Sequence, residues 1–247
     1  MKKTEKIIAY GDLFKDSWVI YRKQLIKFLE VFVRGLVGFI PMFALLLLFG
    51  LYGFFELNNL ASDYTNAVLG IVFVFLFIAS LYMAIVYGIR VKVASILLLK
   101  NNFSAAKENF NKAKPYFQQF LGVSLLFLVL VFAWGTLLFI PAIIFGIYYG
   151  FSQYVLVDED KRPFSATERS YDLVRGYWWP TFGRLLLIFV IVMLINFVIS
   201  LPLEWLDHNT LGFFTANLLI NVFWAIASPY LIIYSYQVYQ SLKKVNK

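Results

Sequence analysis

Six long apolar runs, separated by short polar connections, dominate the chain: Leu29–Phe54, Asn66–Arg90, Phe117–Phe139, Pro141–Val157, Thr181–Leu203 and Gly212–Gln237. A helix needs about 20 mostly apolar residues to cross a bilayer, and five runs meet that length. The fourth reaches only about 25 Å at about 1.5 Å per residue. It reads as a full span through a thin patch of bilayer, with a re-entrant pair formed with the third run as the alternative. The start, Met1-Lys2-Lys3-Thr4, resembles the charged region of a signal peptide. The apolar run behind it begins only near Leu29, is long, and has no small-residue cleavage site at the right distance. A retained first span is therefore expected.

A second periodicity appears in the polar stretches before spans one, three and five. Phe14, Trp18, Tyr21, Leu25 and Phe28 recur at steps of three and four, as do Phe103, Ala106, Phe110, Ala113 and Phe117. The third set is Phe164, Thr167, Tyr171, Val174 and Trp178. Such steps put each set on one helical face and predict three amphipathic helices. Asp12, Ser104 and Ser165 occupy matching positions suited to N-caps, and Ser165 with Glu168 spells a capping box. Further matching positions hold an aromatic ring (Trp18, Phe110, Tyr171) and a base (Arg22, Lys114, Arg175). The far end of each following span carries a proline, Pro41, Pro141 or Pro202. The expected fold is an all-α polytopic membrane domain over residues 1–247. It is built as a diverged three-fold repeat, approximately 11–100, 103–157 and 164–241, each unit an interfacial helix followed by a transmembrane hairpin.

Composition agrees: 61% of the 247 residues are hydrophobic and 15% charged, with a mean hydropathy of +0.75. Soluble domains average about 45–50% apolar residues and about 25% charged, so lipid must be the solvent for much of this surface. Charge then orients the spans. The connections 56–65 and 204–211 contain Glu56, Asp63, Glu204 and Asp207 but no Lys or Arg, and the turn at Ile140-Pro141 is uncharged. All 22 basic residues fall at the other side, which the positive-inside rule places in the cytoplasm together with both termini.

The absence of cysteine excludes disulfides, thiolate metal sites and cysteine nucleophiles. A lone histidine, His208, excludes multi-histidine sites and reads as a surface residue of an outer loop. Neither nucleophile elbow, phosphate-cradling loop nor other catalytic motif is present. No cofactor, metal or nucleic-acid partner is therefore expected, and no enzymatic activity. Asp158-Glu159-Asp160 is the densest carboxylate group and reads as a solvated acidic turn favouring the helix after it; a divalent-ion site is the alternative.

Cations on interfacial helices attract anionic lipid. Lys15, Arg22, Lys23, Lys27, Lys107, Lys112, Lys114, Arg169 and Arg175 are the candidates for headgroup contact. Arg34, spaced for an ion pair with Glu30, stands with Arg90 and Arg184 at the inner ends of spans. These three either snorkel to the interface or form an anion pocket between spans. Gln153, Asn196, Asn217 and Asn221 lie deeper. They either bond between helices or line a polar cavity. Pro229 should bend span six, and Gly146-x-x-x-Gly150 permits close helix approach. Membrane lipid, anionic in character, is the expected partner; a membrane-protein partner or a homo-oligomer is left open.

One stretch, residues 140–179, has a recognisable order. An Ile140-Pro141 turn leads into a short span and the acidic turn Asp158-Glu159-Asp160. A Ser165-Ala166-x-x-x-Ser170 helix follows, ending at Arg175-Gly176. This order resembles the six-helix membrane domain attached to some bacterial glycerophosphoryl diester phosphodiesterases, and the stand-alone membrane proteins similar to it. The resemblance implies a membrane module in a bacterial inner membrane. It carries over no catalytic residue, because the phosphodiesterase barrel needs about 250 further residues.

Overall fold

The structure is a computed structural model that describes residues 7–57, 63–137, 139–205 and 211–246. Among the described residues all regular structure is helical. In chain order the helices are α1 (Tyr10–Gly35), α2 (Ile40–Leu57), α3 (Asp63–Lys100), α4 (Ala106–Lys112) and α5 (Phe117–Leu137). Then come α6 (Phe139–Tyr149), α7 (Ser152–Asp158), α8 (Pro163–Val174), α9 (Trp178–Ser200) and α10 (Leu211–Val245). Among the described residues, six stretches are long and apolar enough to cross a membrane: Tyr10–Phe54, Asn66–Lys100, Ala106–Gly135, Ile140–Asp158, Trp178–Ser200 and Leu211–Val245. The chain is a multi-pass membrane protein of six apolar helices.

The helices outrun the apolar runs at one end. With 38 residues, α3 is about 57 Å long at about 1.5 Å per residue, against a hydrocarbon core of about 30 Å. Its last turns, and those of α10, must lie beyond the hydrocarbon. The buried core sits there: Leu13 and Phe28 of α1, Val93–Leu99 of α3, Ala106 and Phe110 of α4, Val155–Val157 of α7, Leu173 of α8 and Ile233–Leu242 of α10 contribute to one cluster. Within the hydrocarbon the spans instead turn large apolar side chains outward, among them Phe75, Phe132, Phe189 and Leu219. The chain thus has a packed basic end and a looser half whose apolar surface requires lipid.

Glycines set the closest crossing. A β-carbon at Gly35 would stand 2.3 Å from Val91 Cγ2, and one at Gly38 2.6 Å from Tyr87 Cβ. The first span therefore closes on α3 at Gly35 of α1 and at Gly38 of the 3-10 turn Leu36–Phe39. Gly146 and Gly150 play another part: the nearest atom to a Gly146 β-carbon is 3.9 Å away, and Gly150 crowds the carbonyl of Gly146 itself. Gly150 lies where the fourth span breaks between α6 and α7. Ser170 of α8 repairs that break, its Oγ donating to the Tyr148 carbonyl (2.7 Å) and accepting from the Phe151 N–H (3.2 Å).

Pro229 stands inside α10 and lacks the N–H that would bond the carbonyl of Ala225. Ser228 Oγ donates to that carbonyl at 3.1 Å. Tyr21 of α1 donates to the adjacent Ile226 carbonyl at 3.0 Å, joining the first helix to the proline site in the last.

Helices do stand where the three amphipathic patterns lie, but their starts differ from expectation. The first has no separate existence, because α1 runs from Tyr10 into the span through a 3-10 turn at Leu36–Phe39. The N-cap positions are Ala9, Ala105 and Arg162, none with a side-chain cap bond. Asp12, Ser104 and Ser165 are therefore not the caps. Pro163, whose fixed φ suits the first helical position, starts α8 ahead of Ser165 and removes the capping box. Ser104 accepts instead from Asn109 Nδ2 at 2.8 Å.

Candidate functional site at the basic end

The acidic turn lies at the basic end, and only Asp160 of its three carboxylates is well exposed, at 61%, against 7% for Asp158 and 14% for Glu159. Tyr236, Tyr239, Gln240 and Lys243 recur at helical spacing along α10 and meet it together. Asp158 accepts from Tyr236 OH (2.8 Å), Tyr239 OH (2.9 Å) and Lys243 Nζ (2.7 Å). Its side chain is only 7% exposed. Glu159 takes Tyr239 OH at 3.1 Å and lies 3.5 Å from Arg169 of α8. Asp160, with a left-handed φ of 51°, accepts from Lys100 Nζ at 2.7 Å and from Tyr116 OH. Lys100 also donates to the Val157 carbonyl at 2.9 Å. Three consecutive carboxylates thereby tie α3, α8, α10 and the turn before α5 to the end of α7. Burial raises the Asp160 carboxyl pKa, but hydrogen bonds from Lys100 and Tyr116 and the Lys100 charge outweigh it and hold the group below its ordinary value. The donors surrounding these oxygens are the protein's own. Among the described residues no group of three or more His, Cys, Asp or Glu could hold a metal ion.

With the acids so occupied, the candidate headgroup residues divide. Arg169 is turned inward to Glu159, Lys112 pairs with Glu108 at 2.6 Å, and Lys27 donates to the Phe103 carbonyl. Lys15, Arg22, Lys23, Lys107, Lys114 and Arg175 are exposed, with no ion pair among the described residues. Large rings stand near them in sequence and are also exposed: Trp18 at 50%, Phe164 at 76% and Trp179 at 74%.

Arg34, Arg90 and Arg184 have different partners. Arg34 pairs with Glu30 at 2.8 Å. Arg90 lies over the Phe110 ring at 4.3 Å, with NH2 3.4 Å from the Phe110 carbonyl. Arg184 is buried elsewhere, where it donates to the carbonyls of Ile8 and, at 2.7 Å, Pro180, with its guanidinium 4.7 Å from the Tyr10 ring centre. Backbone oxygens and rings replace a counter-ion there, a role that isolated arginines in the sequence did not announce.

The four deep polar residues also differ in their partners. Gln153 donates to Ser124 Oγ at 3.0 Å, between α7 and α5. Asn217 and Asn221 bond carbonyls of their own helix, those of Phe213 and Asn217. Asn196 accepts from Trp224 Nε1 at 3.1 Å, and beside this pair a cleft of about 440 Å³ lies between α9 and α10. His208 and Asp207 lie outside the described residues.

Asn109 was not singled out by the sequence, yet it is fully buried. Its amide donates to Ser104 Oγ and the Ala105 carbonyl and accepts from Asn101 Nδ2. This knot holds the connection in which Asn102 and Phe103 take left-handed φ values of 47° and 59°. Its signal, three polar residues with local spacing, is common in any loop. Compared with known protein families, curated proteins and solved structures, the chain matches none.

Proposed function

We infer that this chain is a non-enzymatic membrane module that engages anionic lipid at the cytoplasmic face of a bacterial inner membrane, there anchoring or organising a membrane partner. One observation carries the reading. The acidic turn is neutralised internally by Lys100, Lys243 and Arg169, while Lys15, Arg22, Lys23, Lys107, Lys114 and Arg175 are exposed, as are the rings of Trp18, Phe164 and Trp179. Exposed cations at a membrane surface gain about 1 kcal/mol each from anionic lipid, and aromatic rings prefer the same depth. The lack of basic residues in the connections 56–65 and 204–211 supports cytoplasmic termini, and the matched bases Arg22, Lys114 and Arg175 support a tripled module. The likeness to the membrane domain of glycerophosphoryl diester phosphodiesterases belongs to this reading.

The test is lipid preference in nanodiscs or by native mass spectrometry. Charge reversal of Arg22, Lys114 and Arg175 together should abolish selective retention of phosphatidylglycerol over a neutral lipid. Unchanged retention would remove the proposal. The cleft beside Asn196 and Trp224 favours a second reading, a carrier of lipid or a small solute. Flux in proteoliposomes that is lost when Asn196 becomes Leu would establish it in place of the first.

A further inference from the structure

One cavity among the described residues includes a carboxylate in its lining. About 440 Å³ in volume, it lies between α5, α6 and α8 and is lined by Leu126, Leu130, Tyr149, Phe164, Glu168 and Tyr171, with Thr167. The four α8 positions, 164, 167, 168 and 171, follow helical spacing and form one face of that helix. Leu126 and Leu130 are one turn apart on α5, which continues into the apolar part of the third span. The cavity therefore has a polar, aromatic wall toward the basic end and an aliphatic wall leading to the hydrocarbon.

The polar wall is suited to a cation. The rings of Tyr149 and Tyr171 have centroids 6.2 Å apart with planes inclined at 33°, and the Tyr148 ring centroid lies 4.6 Å from that of Tyr171. Glu168 is exposed and has no ion pair among the described residues, although its neighbour Arg169 turns away to Glu159. Aromatic faces combined with one carboxylate are the elements that recognise organic ammonium groups, through ring electrostatics and a charge-assisted contact. Small-molecule cavities are commonly about 300–1,000 Å³, so a headgroup fits this one.

We propose that the cavity formed by Tyr149, Phe164, Glu168 and Tyr171 binds the ammonium group of an aminophospholipid, whose acyl chain lies along Leu126 and Leu130. This deepens the lipid-binding reading, on which it rests, by giving one site a preference opposite in sign to that of the exposed bases. Ethanolamine and choline headgroups share the recognised chemistry. A primary ammonium can also donate hydrogen bonds to Glu168, so ethanolamine should bind more tightly.

Native mass spectrometry of the full chain, titrated separately with phosphatidylethanolamine, phosphatidylcholine, phosphatidylglycerol and uncharged diacylglycerol, tests the site. Glu168→Gln keeps the shape and an exposed position. It should weaken the first phosphatidylethanolamine binding step about tenfold and leave phosphatidylglycerol binding unchanged. Tyr171→Leu should reduce phosphatidylethanolamine and phosphatidylcholine together. Wild-type affinity for phosphatidylethanolamine in Glu168→Gln, or diacylglycerol binding as tight as phosphatidylethanolamine, would overturn the proposal. So would saturation of the site by soluble tetramethylammonium with no gain from an attached lipid. The variant with Arg22, Lys114 and Arg175 reversed reports on the broader reading alone, because its readout is phosphatidylglycerol.

Discussion

Ser170 contributes a hydroxyl that no residue of the fourth span can supply for itself. Where α6 ends and α7 begins, the Tyr148 carbonyl and Phe151 N–H lose their helical partners, and the one Oγ serves both. The side chain is fully buried, so water cannot take its place. Ser170→Ala should therefore cost about 1–3 kcal/mol through two unpaired backbone groups, read as a lowered unfolding temperature in detergent; Ser165→Ala, at an exposed position without a cap bond, should leave it unchanged. Equal behaviour of the two variants would show that the break does not depend on Ser170. The sequence displayed the Ser165-Ala166-x-x-x-Ser170 order but not its use, since the groups it satisfies lie about 20 residues earlier. Asp160 gives a pH-dependent counterpart. Its folded-state pKa is depressed, so its contribution to stability is complete above the ordinary carboxylate value near 3.9 and is lost as pH falls through the lower folded value. Asp160→Asn should unfold at a lower temperature than wild type at pH 7, and the gap should close on acidification. A gap that stays constant through the acid range would assign the loss to something other than the Lys100 and Tyr116 contacts.

At the scale of elements, the contact between the first span and α3 depends on what its glycines lack. Gly38 faces Tyr87 Cβ at 2.6 Å and the Met83 carbonyl at 3.1 Å, and a helix backbone cannot yield as a side-chain tip can. Gly38→Ala should force the helices apart and cost about 1–3 kcal/mol, the usual range for overpacking. At Gly35 the obstacle is a single methyl group, Val91 Cγ2. Val91→Ala should then recover much of the loss caused by Gly35→Ala. A double-mutant cycle for these two positions should show coupling, whereas Gly146→Ala should fall within about 0.5 kcal/mol of wild type. Additive effects of Gly35→Ala and Val91→Ala would contradict the crossing. The Gly146-x-x-x-Gly150 spacing drew attention in the sequence because it places two gaps on one helical face. Spacing states only that a close approach is allowed; which helix arrives depends on long-range packing. The missing N–H at Pro229 was easier to read, because it acts locally, but the bond from Tyr21 to the Ile226 carbonyl beside it joins positions 205 residues apart.

At the scale of the whole molecule, two solvents explain which parts of the fold were legible. In hydrocarbon, backbone groups must be satisfied within each helix, so apolar length alone marked the six spans. Beyond the hydrocarbon, α3 and α10 continue as helices whose polar side chains bond the acidic turn, and no hydropathy rule distinguishes a carboxylate facing water from Asp158 facing Tyr236, Tyr239 and Lys243. The acidic turn was therefore visible as a charge cluster and invisible as a junction. Orientation rests on a separate asymmetry, the gathering of every Lys and Arg at one side, and it can be tested without disturbing the core because the chain contains no cysteine. Tyr64 and Leu211 are each 79% exposed at the outer starts of α3 and α10, while Lys244 is exposed near the end of α10. Cysteines placed singly at these positions should divide between compartments. In intact cells an impermeant thiol reagent should label Tyr64→Cys and Leu211→Cys, and it should reach Lys244→Cys only after the membrane is opened. Labelling of all three from one side would leave the spans and the packed basic end in place but refute their proposed orientation, and with it the cytoplasmic lipid surface on which the functional reading depends.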